Sequence, residues 1–371
     1  MHIPFCLSKC VYCDFVSFSG RENAFSDYAE AVAREAAYYK EKCKDKIFDT
    51  VYFGGGTPSV LPSLLLQKIV FALRKNFNIL PDAEWSMEVN PATVDDEKAE
   101  VLKDLGFNRI SIGMQSTNDD TLRFLKRAHC KSQFEETVKL FFEKGITNLN
   151  ADFILGLPYQ TKEEVVFTAN YLFDLGVKHI SAYALKVEKG TPLSKMVREN
   201  KVNLPDDDFT CDLYDEFRKA ALKNGFERYE VSNFAQKGYE CRHNLNCWQY
   251  REYLGLGLNA HSFIFGKRFH NIQNLDQYIS RWMSGKNSIS TSRRLSKDEQ
   301  KTEFVMLGLR LEKGFSVSEY DNLFNEEFYQ KNKDIINRLQ QQKLIIYDGE
   351  FIRIHPEKFY ILNSIITEFI I

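Results

Sequence analysis

Three cysteines, Cys6, Cys10 and Cys13, stand in a Cys-x3-Cys-x2-Cys arrangement near the start of the chain. Three thiolates on one loop can converge on a compact ion or cluster. A structural zinc site takes four ligands, commonly as two distant Cys-x2–4-Cys pairs. No second pair of that kind is present, and Cys241 and Cys247 are a weak complement. Three cysteines suit a cubane iron–sulfur cluster in which one iron lacks a protein ligand. The other five cysteines, at 43, 130, 211, 241 and 247, are scattered along the chain. Clustering of this kind in a long chain points to metal rather than to a disulfide framework.

Four more features carry chemistry. The run Gly54-Gly55-Gly56-Thr57-Pro58 permits positive φ and lets backbone atoms approach a ligand closely. Glu88, in Glu-x-Asn-Pro, can attract a cation or bond to a diol, and Gln115, in Ser-x-Gly-x-Gln-Ser, can read either. Read alone, Arg127 is a solvated helix residue, and Asp152 is either a strand-end hydrogen-bonding group or a functional one. His243-Asn244-Leu245-Asn246-Cys247-Trp248 sets an imidazole, a thiol and an indole on one short segment. His2 and His261 are further imidazoles, read first as structural.

These residues must be positioned by something. From about residue 20 to 190, apolar runs alternate with amphipathic helical stretches. Strands are expected at Phe48–Phe53, Glu84–Val89, Arg109–Met114, Leu149–Leu155 and His179–Leu185, with a possible first strand leading into Cys6. Helices are expected at roughly 61–76, Asp95–Leu105, 118–145 and 162–175. Single helices between strands mean βα units around a parallel sheet. The alternation stops well short of the ~250 residues of an eight-fold barrel. The expected fold class is therefore α/β, an open, partial (β/α)6 barrel. Cys6, Gly54–Thr57, Glu88, Gln115 and Gly156 fall at the C-terminal ends of the expected strands, the rim where such sheets carry their sites.

Beyond the barrel, Asp206-Asp207-Asp208 after Pro205 starts a helix over 206–224. A Gly- and aromatic-rich segment follows, from Tyr229 to Phe265. Lys331–Gln342 reads as a helix and Leu344–Ile354 as a hairpin with an Asp-Gly turn, so the C-terminal part is helical and winged-helix-like. The expected division is a barrel over 1–200, a connecting segment over 201–290 and a C-terminal domain over 291–371.

Net charge is only −2, so no basic excess points to nucleic acid. No stretch approaches the ~18 uninterrupted apolar residues of a membrane span, and the start lacks the pattern of a secretory signal. The expectation is a cytoplasmic protein, meeting a membrane only through a partner.

The cysteine spacing, with Tyr12 before the last cysteine, resembles the signature of the radical SAM superfamily. His2-Ile3-Pro4-Phe5-Cys6, Tyr12-Cys13-Asp14-Phe15, the Gly54–Pro58 run and Cys241–Trp248 together resemble the HemN/HemW family of oxygen-independent coproporphyrinogen III dehydrogenases and haem chaperones. The resemblance spans essentially the whole chain. It implies a barrel of radical SAM type and a [4Fe–4S] cluster on Cys6, Cys10 and Cys13. The open iron would take the amino and carboxylate groups of S-adenosylmethionine. It further implies cofactor contacts for Tyr12, Gly55, Gly56, Thr57, Glu88, Gln115, Arg127 and Asp152, and haem contact for His243. The chain departs from the haem-chaperone pattern His-Asn-x-x-Tyr-Trp at Cys247, where tyrosine is usual; thiolate is itself a haem ligand.

Within the family, the dehydrogenases carry a fourth cysteine two positions after the third. Here that position is Phe15, as in the haem chaperones. The dehydrogenases also have a longer N-terminal lead, with a tyrosine two residues before the His of His-x-Pro-Phe-Cys; only Met1 precedes His2 here, which a truncated start would also give. The resemblance favours a haem chaperone that delivers haem to acceptor proteins, over a radical dehydrogenase or a related haem-degrading methyltransferase. Cleavage of S-adenosylmethionine is compatible with that branch; decarboxylation of coproporphyrinogen is not expected.

Overall fold

A computed structural model describes residues 1–370. Six parallel strands, β1 (His2–Ile3), β2 (Ile47–Gly55), β3 (Asn78–Val89), β4 (Arg109–Gln115), β5 (Asn148–Leu155) and β6 (His179–Ala184), pair in sequence order. Two short antiparallel strands, β7 (Glu227–Arg228) and β8 (Asn233–Ala235), extend the sheet beyond β6 in the order β6-β8-β7. The end strands β1 and β7 do not pair, so the barrel is open and partial, with the six parallel strands the sequence implies.

The strands alternate with period 2. One side of the sheet is apolar: Phe53, Met87, Val89, Ile110, Ile112, Leu149, Phe153 and Ile180 are buried in one core. Helices α1 (Phe25–Tyr39), α2 (Ser63–Asn76), α3 (Asp96–Asp104), α4 (Asp119–Phe124), α5 (Lys131–Glu143), α6 (Lys162–Asp174), α7 (Pro192–Arg198) and α8 (Asp207–Lys223) follow the strands. All but the two short ones, α4 and α7, add apolar residues to that core. The other side carries Tyr52, Glu84, Ser86, Glu88, Ser111, Asn150, Asp152, His179 and Ser181, one residue out of phase. The register sets Thr50 beside Glu84, Glu88 beside Ser111, Asn150 beside His179 and Asp152 beside Ser181. A polar inner face is costly unless its groups bond to one another or to a ligand. Here most do the first, Ser86 Oγ having no partner among the described residues, and the top of the barrel is left for the second.

The helical segments expected at roughly 118–145 are two helices, α4 and α5, parted where Lys126 takes a left-handed φ of 57° and turns the chain inward. The helix starts at Asp206 as expected, its carboxylate accepting the Phe209 N–H at 2.8 Å.

After β8, helix α9 (Arg242–Trp248) carries the His-Asn-x-x-Cys-Trp segment. Strands β9 (His261–Ile264), β10 (Lys267–Asn271) and β11 (Ile289–Arg294) form a three-stranded sheet around α10 (Leu275–Met283). A separate core is built by α11 (Lys297–Gly308), α12 (Val317–Phe324), α13 (Phe328–Gln341) and α14 (Leu362–Thr367) with β12 (Phe315–Ser316), β13 (Ile345–Tyr347) and β14 (Phe351–Ile354). The expected hairpin is the β13–β14 pair. Among the described residues no helix is long and apolar enough to cross a membrane.

Candidate functional site

The cysteine loop leaves β1 and is pinched at its base. Cys6 N–H donates to the Phe18 carbonyl (2.9 Å) and Phe18 N–H to the Pro4 carbonyl (2.8 Å). Its middle is pinned by Val11, buried among Leu125, Ile154 and Leu193. The glycine run is tied to the same loop, since Gly56 N–H donates to Ile3 O (2.8 Å) and Thr57 N–H to Phe5 O (2.7 Å). A cavity of about 430 Å³ opens between them, within the range of small-molecule sites. It is lined by Cys6, Cys10, Tyr12, Cys13, Gly55, Gly56, Thr57, Glu88, Gln115, Arg127 and Asp152. The structure thus brings together every sequence-derived site residue except His243.

Each side chain has a physical reason to be there. Gly55 holds a φ of +115°, and a Cβ on it would overlap the His2 ring at 2.2 Å. Gln115 has a φ of 70°, beside a shift in the β4–β5 register that re-aims the end of β4 into the cavity. Arg127 follows the left-handed turn at Lys126. It sets Nη1 3.6 Å from Cys10 Sγ and donates Nη2 to the Gly113 carbonyl at 2.7 Å. Its Nε is buried with no partner. Thr57 Oγ1 lies 3.7 Å from Cys6 Sγ. Burial pushes the Cys13 thiol up.

Glu88 is half-buried, and the desolvation of its carboxyl pushes it up to about 7 against the hydrogen bonds from Tyr52 and Gly55 that pull it down. Tyr52 O–H donates to Glu88 Oε1 at 2.7 Å, and Gly55 N–H to Oε2 at 3.2 Å. Burial also raises the Asp152 carboxyl, opposed by bonds from Asn150 (2.8 Å) and Ser111 (3.2 Å). Two half-buried carboxylates face a cavity with one half-buried guanidinium, an arrangement suited to a ligand that carries both a cation and a carboxylate.

These residues fit an iron–sulfur cluster with S-adenosylmethionine. All three cysteines are free and part-exposed to one cavity. Among the described residues no three His, Cys, Asp or Glu side chains are grouped closely enough for a single metal ion. A four-iron cube, which would take one thiolate on each of three irons, needs them spread more widely than one zinc does. The unpartnered Arg127 Nε leaves a donor for an anionic group.

His243 lies elsewhere. Helix α9 sits below the sheet, its first N–H groups received by Glu84, whose carboxylate accepts from Arg242 and His243 at 3.1 Å each. The His243 ring stacks on Tyr52 (centroids 4.9 Å apart, planes 18°) and its Nδ1 faces Thr50 Oγ1 at 3.3 Å. Five residues of strand, about 16 Å at the usual rise, separate Thr50 from Gly55. A second cavity of about 220 Å³ opens here, lined by His243, Asn246 and Cys247 with Thr50, Tyr52 and Arg251. Burial lowers the His243 imidazole to about 4 and pushes the Cys247 thiol up to about 11. Trp248 faces away, into a third cavity beside Phe304 and Phe315. His2 Nε2 donates to the Val16 carbonyl (3.1 Å) and His261 stacks on His270, both structural arrangements.

Sequence reasoning passed over Tyr52 and Glu84. Parity held the signal for both: Thr50, Tyr52 and Gly54 share one face of β2, as Glu84 and Glu88 share one face of β3.

Sheet, cysteine loop and glycine run define a radical SAM protein. The model of the radical SAM superfamily matches residues 1–172, and that of the HemN C-terminal domain matches 295–358. A solved structure, coproporphyrinogen III oxidase (HemN) from Escherichia coli, superposes with a TM-score of 0.85 over 99% of this chain and 88% of that one, at 22% identity, a likeness of fold. The chain is 32% identical to the heme chaperone HemW of Lactococcus lactis, over 100% of this chain and 96% of that protein. It is 35% identical to the heme chaperone HemW of Synechocystis, over 88% of this chain and 81% of that protein. The chain belongs to the HemW family.

Proposed function

We propose that this protein is a haem chaperone that holds a [4Fe–4S] cluster and S-adenosylmethionine at the top of its barrel, takes up haem, and passes it to acceptor proteins. The observation that carries the reading is likeness along the full length of the chain to proteins named heme chaperone HemW. Phe15, at the cavity wall, supports it, since the dehydrogenase branch has cysteine at that position. Its working division is a barrel over 1–200, a connecting segment over 201–290 and a C-terminal domain over 291–371.

When bound, the cluster supplies one-electron chemistry to S-adenosylmethionine. The chain's own residues do the rest. Cys6, Cys10 and Cys13 hold three irons and leave one open. Gly55, Gly56 and Thr57 give close backbone approach to the methionine amino end. Arg127 takes the carboxylate, while Glu88, Gln115 and Asp152 offer acceptors to the cationic and hydroxyl-bearing parts. Tyr12, half-buried beside Cys10, helps to hold the loop that would carry the cluster. His243, neutral through burial, is the imidazole that contacts haem iron, with Cys247 in the same cavity.

One preparation, reconstituted anaerobically, tests the reading. About four irons per chain are expected, lost in Cys6→Ser, Cys10→Ser or Cys13→Ser. Haemin should give a saturable Soret shift, and haem should pass to an apo-acceptor. Protoporphyrinogen formed from coproporphyrinogen III with S-adenosylmethionine and reductant would overturn the chaperone reading.

A further inference from the structure

One side chain, Tyr52, joins the His243 cavity, which it lines, to the cofactor cavity, whose wall residue Glu88 it bonds. Tyr52 stands on the inner face of β2 between them, half-buried. Upward, its hydroxyl donates to Glu88 Oε1 at 2.7 Å. Downward, its ring stacks on His243 at 4.9 Å, with planes 18° apart. A tyrosine with its hydroxyl bonded and its ring stacked is fixed at both ends. We propose that Tyr52 is a positioning residue for both sites: its hydroxyl orients Glu88 toward S-adenosylmethionine, and its ring orients His243 toward haem.

The local geometry supports a role in aiming rather than in filling space. Glu88 has two oxygens, one bonded by Tyr52 and the other by the Gly55 N–H. Without the hydroxyl, the carboxylate keeps a single tether at 3.2 Å and can swing within the cavity. His243 has only one side-chain hydrogen bond, to Thr50 at 3.3 Å, so the stacked ring is what fixes its plane. The helix that carries it is tied to the barrel a second time. Asp152 is bonded by Asn150 (2.8 Å), Asn150 by His179 (2.6 Å), His179 by Tyr229 (2.8 Å), and Tyr229 O–H accepts the N–H of Cys241 just before α9 (3.3 Å). That second tie holds the helix in place, leaving Tyr52 to set the imidazole.

The haem half of the proposal rests on the reading of His243 given above. Two substitutions separate the two roles. Tyr52→Phe keeps the ring and removes the hydroxyl; Tyr52→Leu removes both. In cluster-loaded protein, S-adenosylmethionine binding is followed by equilibrium dialysis and by its effect on the electron paramagnetic resonance of the reduced cluster. Tyr52→Phe should bind it about tenfold more weakly, the usual cost of losing a hydrogen bond to a charged group. Haemin titration should show Tyr52→Leu several-fold weaker with a displaced Soret maximum, and phenylalanine should restore both. Iron content and melting temperature control for folding, and the near-isosteric Tyr52→Phe keeps the test open if leucine disrupts the barrel. Unchanged S-adenosylmethionine affinity in Tyr52→Phe, or an unchanged Soret band and haem affinity in Tyr52→Leu, overturns the proposal. If the parent protein takes up no haem, the reading of His243 has failed instead, and the shared role falls with it.

Discussion

The Arg127 guanidinium spans from Cys10 Sγ, 3.6 Å from its Nη1, to the Gly113 carbonyl, 2.7 Å from its Nη2, and so ties the cysteine loop to the end of β4. The two groups meet only because the chain reverses at Lys126 and drops Arg127 into the barrel. Its buried Nε has no partner among the described residues. The fork is therefore held on one edge and free on the other, as a carboxylate receptor should be.

Arg127→Lys keeps the charge and loses the fork. It should bind S-adenosylmethionine about tenfold more weakly while retaining full iron content. Arg127→Met should bind it more weakly still. It should also lower the cluster's reduction potential, because a positive charge beside a cluster favours the reduced, more negative form. Dialysis and a redox titration check both. Parent-like affinity in Arg127→Met would remove Arg127 from the site.

Gly54 and Gly56 make different contacts, and alanine at each should fail differently. A Cβ on Gly56 would meet Phe5 O at 2.7 Å, Phe5 N at 2.9 Å and Ile3 O at 3.0 Å, all backbone that cannot step aside. Gly56→Ala should cost about 1–3 kcal/mol and displace the residues leading into Cys6, lowering iron uptake. A Cβ on Gly54 would instead meet Glu88 Oε1 at 2.7 Å and a Tyr52 ring carbon at 2.9 Å, which are side chains. Gly54→Ala should keep its iron and lose affinity for S-adenosylmethionine. Iron assay and dialysis on the two variants decide; equal iron loss in both would refute the distinction.

What the sequence shows of this site is local. Cys6, Cys10 and Cys13 lie on one loop, and Gly54–Thr57, Glu88 and Gln115 end strands, so a strand pattern alone brings them to one rim. Arg127 is harder to read, because the helical pattern runs through it and only a reversed φ at Lys126 shows that the helix is broken. Its role came from family likeness rather than from periodicity. The place of His243 is not legible at all. It depends on Glu84 receiving the start of α9 across 159 residues and on stacking against Tyr52, both tertiary contacts without a local signature. The polar inner face was legible in principle, since Ser86-x-Glu88 and Asn150-x-Asp152 keep strict parity.

Glu88 should make cofactor binding depend on pH. Burial raises its carboxyl to about 7, so below that value it is protonated and neutral in the folded, cofactor-free protein. A cationic ligand favours the ionised form. Affinity for S-adenosylmethionine should therefore rise as pH increases through 7 and level off above it. The same raised value means that Glu88 adds to stability at low pH and loses that contribution as pH rises from the ordinary carboxylate range through 7. Glu88→Gln should flatten the binding profile at a low level. A parent profile already flat between pH 6 and 8 would show that Glu88 does not contact the bound cation.

Haem uptake should show the opposite behaviour, an indifference to pH across the physiological range. Iron binds only the neutral imidazole, so an ordinary histidine titrating near 6.5 loses about tenfold in affinity for each unit of acidification below that value. Burial against Tyr52 and Thr50 lowers His243 from 6.5 to about 4, so it is already neutral at pH 5.5. Haemin titrations followed at the Soret band should give the same affinity, within about twofold, from pH 8 down to 5.5, with weakening confined to the approach to pH 4. His243→Ala should weaken binding at every pH and abolish the acid limb. A parent affinity that falls about tenfold between pH 6.5 and 5.5 would mean that the ligating histidine is exposed, which points to a residue other than His243.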